Sequence, residues 1–453
     1  MTAGANTGEG QGRLVHVVSL GCARNLVDSE LLLGALARAG FVYTHDPADA
    51  EIIVVNTCGF IRTAMDESID TILELSDCKD SGRCRILAVT GCLPQRFGTE
   101  IVSALPEVDV FLGTGAMDQA VRVLAATVEG PVCVIPDPSL SALQPGCAPR
   151  MRSTPHMAYV KIQEGCKERC TYCIIPKLRG RARSRPVADI AEETGLLVNG
   201  GAREIVLVAQ DTTAYGADFE DRESLATLLA RLAPEVRGRA RIRFLYGHPD
   251  HVDDELLETV AAHADCVCPY FDIPVQHASD RILKLMGRPN SRDKLAGLFV
   301  RIRDKVPGAV LRTTLLVGFP GETEKDFLEL AGFMEEVGFD HAGVFVYSDA
   351  EDLPSHWLPG HVPGDVAEAR RDRLMEMQAG ISALGNEARI GSEAEVLVTG
   401  PSDEPGFQWT GRTRGQAPDV DGVCHVAGNV RPGDIVKVRI TGAGVYDLLA
   451  EVP

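Results

Sequence analysis

The sequence predicts an α/β protein in three parts: an amino-terminal parallel sheet flanked by helices, a central partial (β/α)6 barrel, and a small carboxy-terminal β-barrel. Three observations predict it. Short apolar strands alternate with helical patterns along most of the chain, which is the signature of a parallel sheet covered by helices. A stretch rich in Pro and Ser interrupts that alternation before residue 156. After Ile390 only short strand patterns remain, separated by Gly, Pro and Asp. With 453 residues the chain is also too long for one ordinary core.

Taken in order, residues 1–12 (MTAGANTGEGQG) have no basic start and no apolar run, so they read as a loose tail and not a signal peptide. Three similar units follow. Arg13–Leu20 runs into Gly21-Cys22, Glu51–Thr57 into Cys58-Gly59, and Arg85–Thr90 into Gly91-Cys92. Each is an apolar strand that ends at a cysteine, and helical patterns such as Asp28–Ala39 and Thr63–Leu75 lie between them. Open parallel sheets bind ligands outside the carboxyl ends of their strands, so the three cysteines are predicted at one edge of one sheet. Pro131–Pro155 reads as a linker. Six strand candidates come next, at Tyr159–Glu164, Glu204–Gln210, Arg241–Tyr246, Tyr270–Gln276, Val310–Val317 and His341–Tyr347. Most are followed by a helical segment, so they make a barrel short of the usual eight units, with its active site at the carboxyl ends of the strands. Val366–Ile390 is a long amphipathic helix pattern. Beyond it, Ala394–Val398, Gln408–Arg412, Cys424–Ala427, Ile435–Thr441 and Tyr446–Val452 resemble a small OB-like barrel. Domain divisions are therefore expected at 13–150, 151–382 and 383–453.

Composition narrows the class of function. Hydrophobic residues are 45% and charged residues 24%, as in soluble globular proteins. No run of about 18 apolar residues occurs, so no membrane span is expected and the cytoplasm is the expected compartment. A net charge of −19 argues against a protein that mainly coats nucleic acid and suits a basic protein partner. Thirteen cysteines without an export signal argue against a disulfide framework, and some of them should be metal ligands or catalytic groups.

The sharpest cysteine motif is Cys166-Lys-Glu-Arg-Cys170-Thr-Tyr-Cys173, on the loop after the first barrel strand. Three thiolates there could serve a structural zinc, although no second CxxC pair lies nearby, or a cubane iron–sulfur cluster with one iron left open. Spacing alone leaves both readings standing. Cys22, Cys58 and Cys92 are far apart in sequence, and the plain reading is three small buried residues. Against it, all three occupy the same strand-end position, and each touches a glycine that permits close backbone approach.

Cx3CxxC at the first loop of a six-unit partial barrel resembles the radical S-adenosylmethionine superfamily. SLGCARNLVDSE, VNTCGFI and VTGCLPQR resemble the amino-terminal domain of its methylthiotransferases. The likeness extends over nearly the whole chain, because the last segment resembles a TRAM domain. This resemblance implies two 4Fe–4S clusters, one on Cys166, Cys170 and Cys173 and an auxiliary one on Cys22, Cys58 and Cys92. It implies S-adenosylmethionine as cofactor, with Tyr172 at the aromatic position beside the adenine, where packing alone is the plainer role. One S-adenosylmethionine would methylate a sulfur at the auxiliary cluster. A second would be cleaved to a radical that activates the substrate carbon for sulfur insertion. A flavodoxin or ferredoxin would supply electrons.

Two branches of that family differ in substrate. SLGCARNLVDSE, NTCGFIRTAMDES, AQDTTAYG, YFDIPVQHASD and GVFVYSDAED resemble the branch that modifies the β-carbon of an aspartate in small-subunit ribosomal protein twelve. The alternative is an adenosine of transfer RNA. The sequence departs from the first branch where Tyr347-Ser348 leads into Asp349-Ala350-Glu351-Asp352, at the expected edge of the substrate pocket. Residues 383–453 carry ten acidic and six basic side chains, a net of −4, which suits a basic protein. Against this, Lys177, Arg179, Arg181, Arg183 and Arg185 form a basic stretch that suits a nucleic-acid or substrate groove or a solvated face, and the lack of an interleaved aromatic favours the solvated face. Gly318–Thr323 reads as a turn with a partial helix cap from Thr323 and Asp326. His277 lies at a strand end, where it either meets substrate or packs. Cys78, Cys84, Cys133, Cys147, Cys266, Cys268 and Cys424 read as packing or surface thiols.

Overall fold

The structure, a computed structural model, describes residues 12–126, 130–143, 145–221 and 223–453. Apart from Gly12, the tail expected at 1–12 lies outside the described residues. Two compact units emerge. The first comprises the described residues up to Ser153 with Lys161–Glu168 and Ile174–Glu193. The second comprises Thr154–Val160, Arg169–Cys173 and Thr194–Pro453.

The first unit is built on a parallel sheet of six strands: β1 (Leu14–Ser19), β2 (Val42–Tyr43), β3 (Ile52–Thr57), β4 (Ile86–Gly91), β5 (Val110–Gly113) and β6 (Val132–Val134). Their order is β2-β1-β3-β4-β5-β6. β3 and β4 are buried at every position, as expected of strands with helices on both faces. Alternate residues serve opposite faces. Ile52, Val54 and Ala88 pack with Leu32 and Leu36 of the helix Ala23–Arg38. Ile53, Val55, Leu87 and Val89 pack with Ile72 and Leu75 of the helix Arg62–Ser76.

Two features differ from the sequence pattern. The first helix starts at Ala23 and not Asp28, because Cys22 is its N-cap and Asn25 ties the first turn to the sheet. The Asn25 amide donates to the carbonyls of Leu20 and Thr57, each at 3.0 Å. Part of the stretch read as a linker is sheet: Val132–Val134 pairs with β5, its short apolar run having been masked by surrounding Pro and Ser. The end of that stretch is also anchored, since Arg150 donates to Glu30 (2.6 Å) and Glu193 (2.8 Å).

All six barrel strands predicted from the sequence form in the second unit. They are β7 (Met157–Lys161), β8 (Glu204–Val208), β9 (Arg241–Phe244), β10 (Tyr270–Asp272), β11 (Val310–Val317) and β12 (His341–Val346). They make two three-stranded sheets, β9-β8-β7 and β10-β11-β12. A parallel bridge between Ile242 and Val267 extends the first sheet. Helices such as Leu225–Val236, Arg292–Lys305 and Glu324–Val337 cover the strands, and the last opens with a full capping box of Thr323 and Asp326.

After the long helix Gly364–Glu387, five strands close a barrel in the order β13-β14-β15-β17-β16. These are β13 (Glu393–Pro401), β14 (Trp409–Thr413), β15 (Cys424–Ala427), β16 (Ile435–Ala443) and β17 (Leu448–Glu451). Val396, Val398, Val426, Val438, Ile440 and Leu448 fill it. The chain from Arg412 to Asp421 docks on residues at or near the amino ends of the six barrel strands. Arg412 pairs with Glu204, Asp419 accepts from the Tyr159 hydroxyl at 2.9 Å, and Asp421 accepts from the Tyr270 hydroxyl at 2.6 Å. His341 Nε2 meets the Gly415 carbonyl at 2.8 Å. The opposite, carboxyl ends of β7–β12 are therefore left for chemistry.

Candidate functional site

In the first unit the strand ends of β1, β3 and β4 bring Cys22, Cys58 and Cys92 together. The glycines record how closely. A Cβ on Gly21 would lie 2.9 Å from Cys58 Cβ and 3.4 Å from its sulfur, and one on Gly59 would lie 2.7 Å from the Cys92 carbonyl oxygen. Gly21 and Gly91 also have φ of +87° and +97°, a backbone region that favours glycine. A polar frame fixes these ends. Asn56 donates to the Asn25 carbonyl at 2.8 Å and to Ser29 Oγ at 2.9 Å, while Thr57 Oγ1 donates to the Thr90 carbonyl at 2.7 Å. Ser68 Oγ accepts from the Cys58 N–H at 3.2 Å, and Arg96 donates to the Gly59 carbonyl at 2.8 Å.

The three thiols do not share one environment. Burial works against ionisation of Cys22, but Arg24, Arg179 and the Asn25 N–H outweigh it and lower this thiol to about 7. Burial pushes Cys58 up to about 11 and raises Cys92 as well, with Arg179 opposing the rise at Cys92. None of the thirteen cysteines forms a disulfide among the described residues. Three soft sulfur donors on separate strand ends, with glycine at each approach and a buried guanidinium among them, fit a cluster with three protein ligands.

That guanidinium belongs to Arg179, which is 3% exposed. It donates to Asp28 at 2.8 Å, to Asn25 Oδ1, and to Cys92 Sγ at 3.6 Å. Lys161 donates to the other Asp28 oxygen at 2.5 Å and to Glu164 at 2.6 Å. The basic stretch is therefore not a solvated face. Arg185 is also buried, on Glu193 at 2.7 Å, and Arg183 donates to the carbonyls of Pro138 and Ser141, leaving only Lys177 and Arg181 exposed. The physical reason is a set of inward acceptors: Asp28 of the first helix for Arg179, Glu193 of the following helix for Arg185, and backbone carbonyls for Arg183.

The Cx3CxxC stretch follows β7. Within the first unit the Cys166 N–H donates to the Gly180 carbonyl at 3.2 Å, and the Glu168 N–H points at the Cys166 sulfur at 3.4 Å. Within the second unit the Cys173 N–H donates to the Cys170 carbonyl at 3.1 Å. Thr171 is pinned on both sides, donating to the Met286 and Leu285 carbonyls and accepting from the Ser355 N–H. Tyr172 packs against Ile282, Met286, Leu316 and Phe319, and its hydroxyl accepts from Arg288 at 3.2 Å. Burial raises its phenol well above the ordinary range.

Other groups at the carboxyl ends of the barrel strands are held in specific states. Tyr246 and Gln276, after β9 and β10, have φ of 66° and 69°, a costly conformation for residues other than glycine and one that clusters at functional sites. Burial opposes the Asp211 carboxylate, but bonds from His251 Nδ1 (2.8 Å) and Thr213 Oγ1 (2.7 Å) hold it below its ordinary range. His277 packs. It is fully buried, Nδ1 accepts from the Ala278 and Ser279 N–H groups, and burial lowers it to about 3. Gly318–Thr323 is a turn closed by Glu322, which accepts from the Gly318 N–H at 2.7 Å and from Arg370 at 2.9 Å. Asp28, Asp211 and His251 were not singled out from sequence, and Arg179 was read only as one of a solvated basic stretch. For Asp28 one signal existed, since Asn25 and Asp28 are polar residues one turn apart on a helix that starts at a cysteine.

Comparison with known proteins agrees with this arrangement. Residues 14–113 match the uncharacterized protein family UPF0004, residues 160–334 the radical SAM superfamily, and residues 390–452 the TRAM domain. The ribosomal protein uS12 methylthiotransferase RimO of Desulfosudis oleivorans is 52% identical over 442 residues, covering 96% of this chain and 99% of that protein. The proteins of the same name from Syntrophus aciditrophicus and Geobacter sulfurreducens are 47% and 46% identical, each covering 97% of this chain and 98% of its own length. Among solved structures, the radical S-adenosylmethionine methyltransferase TsrM of Kitasatospora setae superposes with a TM-score of 0.58 at 14% identity, over 76% of this chain and 77% of that one. That likeness concerns the fold. Over almost its entire length the chain belongs to the ribosomal protein uS12 methylthiotransferase family.

Proposed function

We propose that this enzyme inserts a methylthio group at the β-carbon of an aspartate in ribosomal protein uS12, using S-adenosylmethionine. The convergence of Cys22, Cys58 and Cys92 from three strand ends carries the reading, in a chain that also bears Cys166, Cys170 and Cys173 after the first barrel strand. Each trio would hold a 4Fe–4S cluster, and Tyr172 would lie beside the adenine. The bound groups supply the radical and the sulfur. The protein's own work is placement. Asn25, Asn56 and Ser68 fix the first trio, while the contacts of Thr171 and the Tyr172 ring hold the second loop and keep water from its apolar side. Asp211, held as a carboxylate by His251, keeps a fixed negative charge at the carboxyl end of the barrel. The divisions at 13–150, 151–382 and 383–453 serve as the auxiliary-cluster, radical and TRAM parts.

Substrate choice rests on the relatives' names and on charge. The chain carries −19 overall and −4 over residues 383–453, which favours a basic protein over RNA, and transfer RNA is not favoured. No described helix is long and apolar enough to cross a membrane. Acting on a ribosomal protein would place the enzyme in the cytoplasm, with a flavodoxin or ferredoxin as electron donor. The test separates the trios. Reconstituted Cys166→Ala, Cys170→Ala or Cys173→Ala protein should release no 5′-deoxyadenosine from S-adenosylmethionine under a reductant. Cys22→Ala, Cys58→Ala and Cys92→Ala should still release it but transfer no sulfur. Equal loss of 5′-deoxyadenosine in both sets would refute the division of labour.

A further inference from the structure

Beside Cys92 lie four buried charges in mutual contact: Arg179 and Lys161 against Asp28 and Glu164. Their formal sum is zero. Only one of them, Arg179, also reaches a thiol of the trio, with Nη2 3.6 Å from Cys92 Sγ. Its other bonds, to Asp28 and Asn25, come from the helix that Cys22 caps, so the guanidinium cannot swing away without breaking the polar frame of the strand ends. A folded protein holds an arginine at such a depth only when its charge and hydrogen bonds are answered, and here the answer includes a sulfur.

From this geometry we infer that Arg179 is a positioning residue that sets the reduction potential of the cluster held by Cys22, Cys58 and Cys92, favouring its reduced form. The inference rests on the assignment of that trio as cluster ligands. A cation and an N–H···S bond at a ligating sulfur both stabilise added negative charge. Joining a carbon radical to a thiolate sulfur releases one electron, so a neighbouring centre made easier to reduce would suit sulfur insertion. Asp28 is the counterweight: it orients the guanidinium and offsets part of its charge. Removing Arg179 leaves Lys161 alone against two carboxylates, a net of −1. Removing the charge of Asp28 leaves a net of +1.

The test uses the full chain with Cys166, Cys170 and Cys173 replaced by Ala, reconstituted anaerobically with iron and sulfide, so that only the first trio can bind a cluster. Iron per chain and a redox titration followed by electron paramagnetic resonance are the readouts. At a fixed potential near the midpoint, Arg179→Gln should lower the reduced-to-oxidised ratio about tenfold, equivalent to 59 mV for a one-electron couple. Asp28→Asn should raise the ratio by a similar factor, and the double variant should return toward the starting value, which a purely structural defect would not do. If Arg179→Gln fails to load iron, the opposite shift in Asp28→Asn carries the test. A background chain that binds no iron overturns the trio assignment and the inference with it. Iron bound with an unchanged ratio in the loaded variants overturns the inference alone.

Discussion

Replacing Glu204 with Gln should loosen the terminal barrel from the radical barrel, at a cost set by three arginines. Glu204 opens β8 and is fully buried. One of its oxygens faces Arg243 Nε at 3.0 Å and Arg241 Nε at 3.4 Å, and the other meets Arg412 of β14. Burial opposes the charge, but Arg241, Arg412 and Arg243 outweigh it and hold the carboxylate far below its ordinary range, so it is charged at any working pH. Glu204→Gln keeps the shape and removes the negative charge that faces three guanidiniums at most 6% exposed. Breaking a buried pair from one side costs about 3–5 kcal/mol, because a charge is left without its partner. Taking ~4 kcal/mol, and roughly 2 °C per kcal/mol for a unit of this size, the midpoint should fall by ~8 °C. Both tryptophans, Trp357 and Trp409, lie in the second unit, so thermal and urea unfolding followed by tryptophan fluorescence read the shift and the free-energy loss of this unit directly. Adding Arg412→Met to Glu204→Gln should cost less than the sum of the single changes, since the two share one network. A loss below ~1 kcal/mol for Glu204→Gln would refute the claim that this charge holds the barrels together.

Further outcomes follow from the same physics. His277 is lowered to about 3 from 6.5, so below pH 6.5 the unfolded chain binds a proton that the folded chain refuses. Stability should therefore fall as pH drops through that window, by roughly 3 kcal/mol at pH 4.5. His277→Asn, which can still accept from the Ala278 and Ser279 N–H groups, should flatten that slope in urea melts at stepped pH. Gly21→Ala combines a positive φ with a Cβ 2.9 Å from Cys58 Cβ, so the reconstituted protein should lose about half its iron. Gly98→Ala, at φ 63° with nothing within 4 Å, should cost only about 1 kcal/mol and keep full iron.

Periodicity made the architecture legible. Strands such as IIVVNT and ILAVTG carry long apolar runs, and their cysteine ends lined up once they were read as parallel neighbours. Glycines beside the cysteines correctly signalled close approach, because that demand is local to the backbone. The hidden part is long-range charge pairing. Nothing near Arg179 in sequence says that Asp28, far away in the chain, will meet it in the interior, so the basic stretch looked solvated. β6 was missed for a different reason: a three-residue edge strand is too short to show a period against its Pro-rich flanks. The docking of Arg412–Asp421 on the amino ends of the barrel strands was equally invisible, since it depends on Tyr159, Glu204 and Tyr270, distant in sequence, being brought within reach of one segment.

The central claim is sulfur insertion into uS12, and one experiment addresses it most directly. Reconstituted enzyme is incubated without oxygen with methyl-labelled S-adenosylmethionine, a reductant, small ribosomal subunits and bulk transfer RNA, and each fraction is digested and searched for labelled methylthio groups. The account predicts label on an aspartate of uS12 and none in RNA. Label in transfer RNA with uS12 unmodified would contradict it.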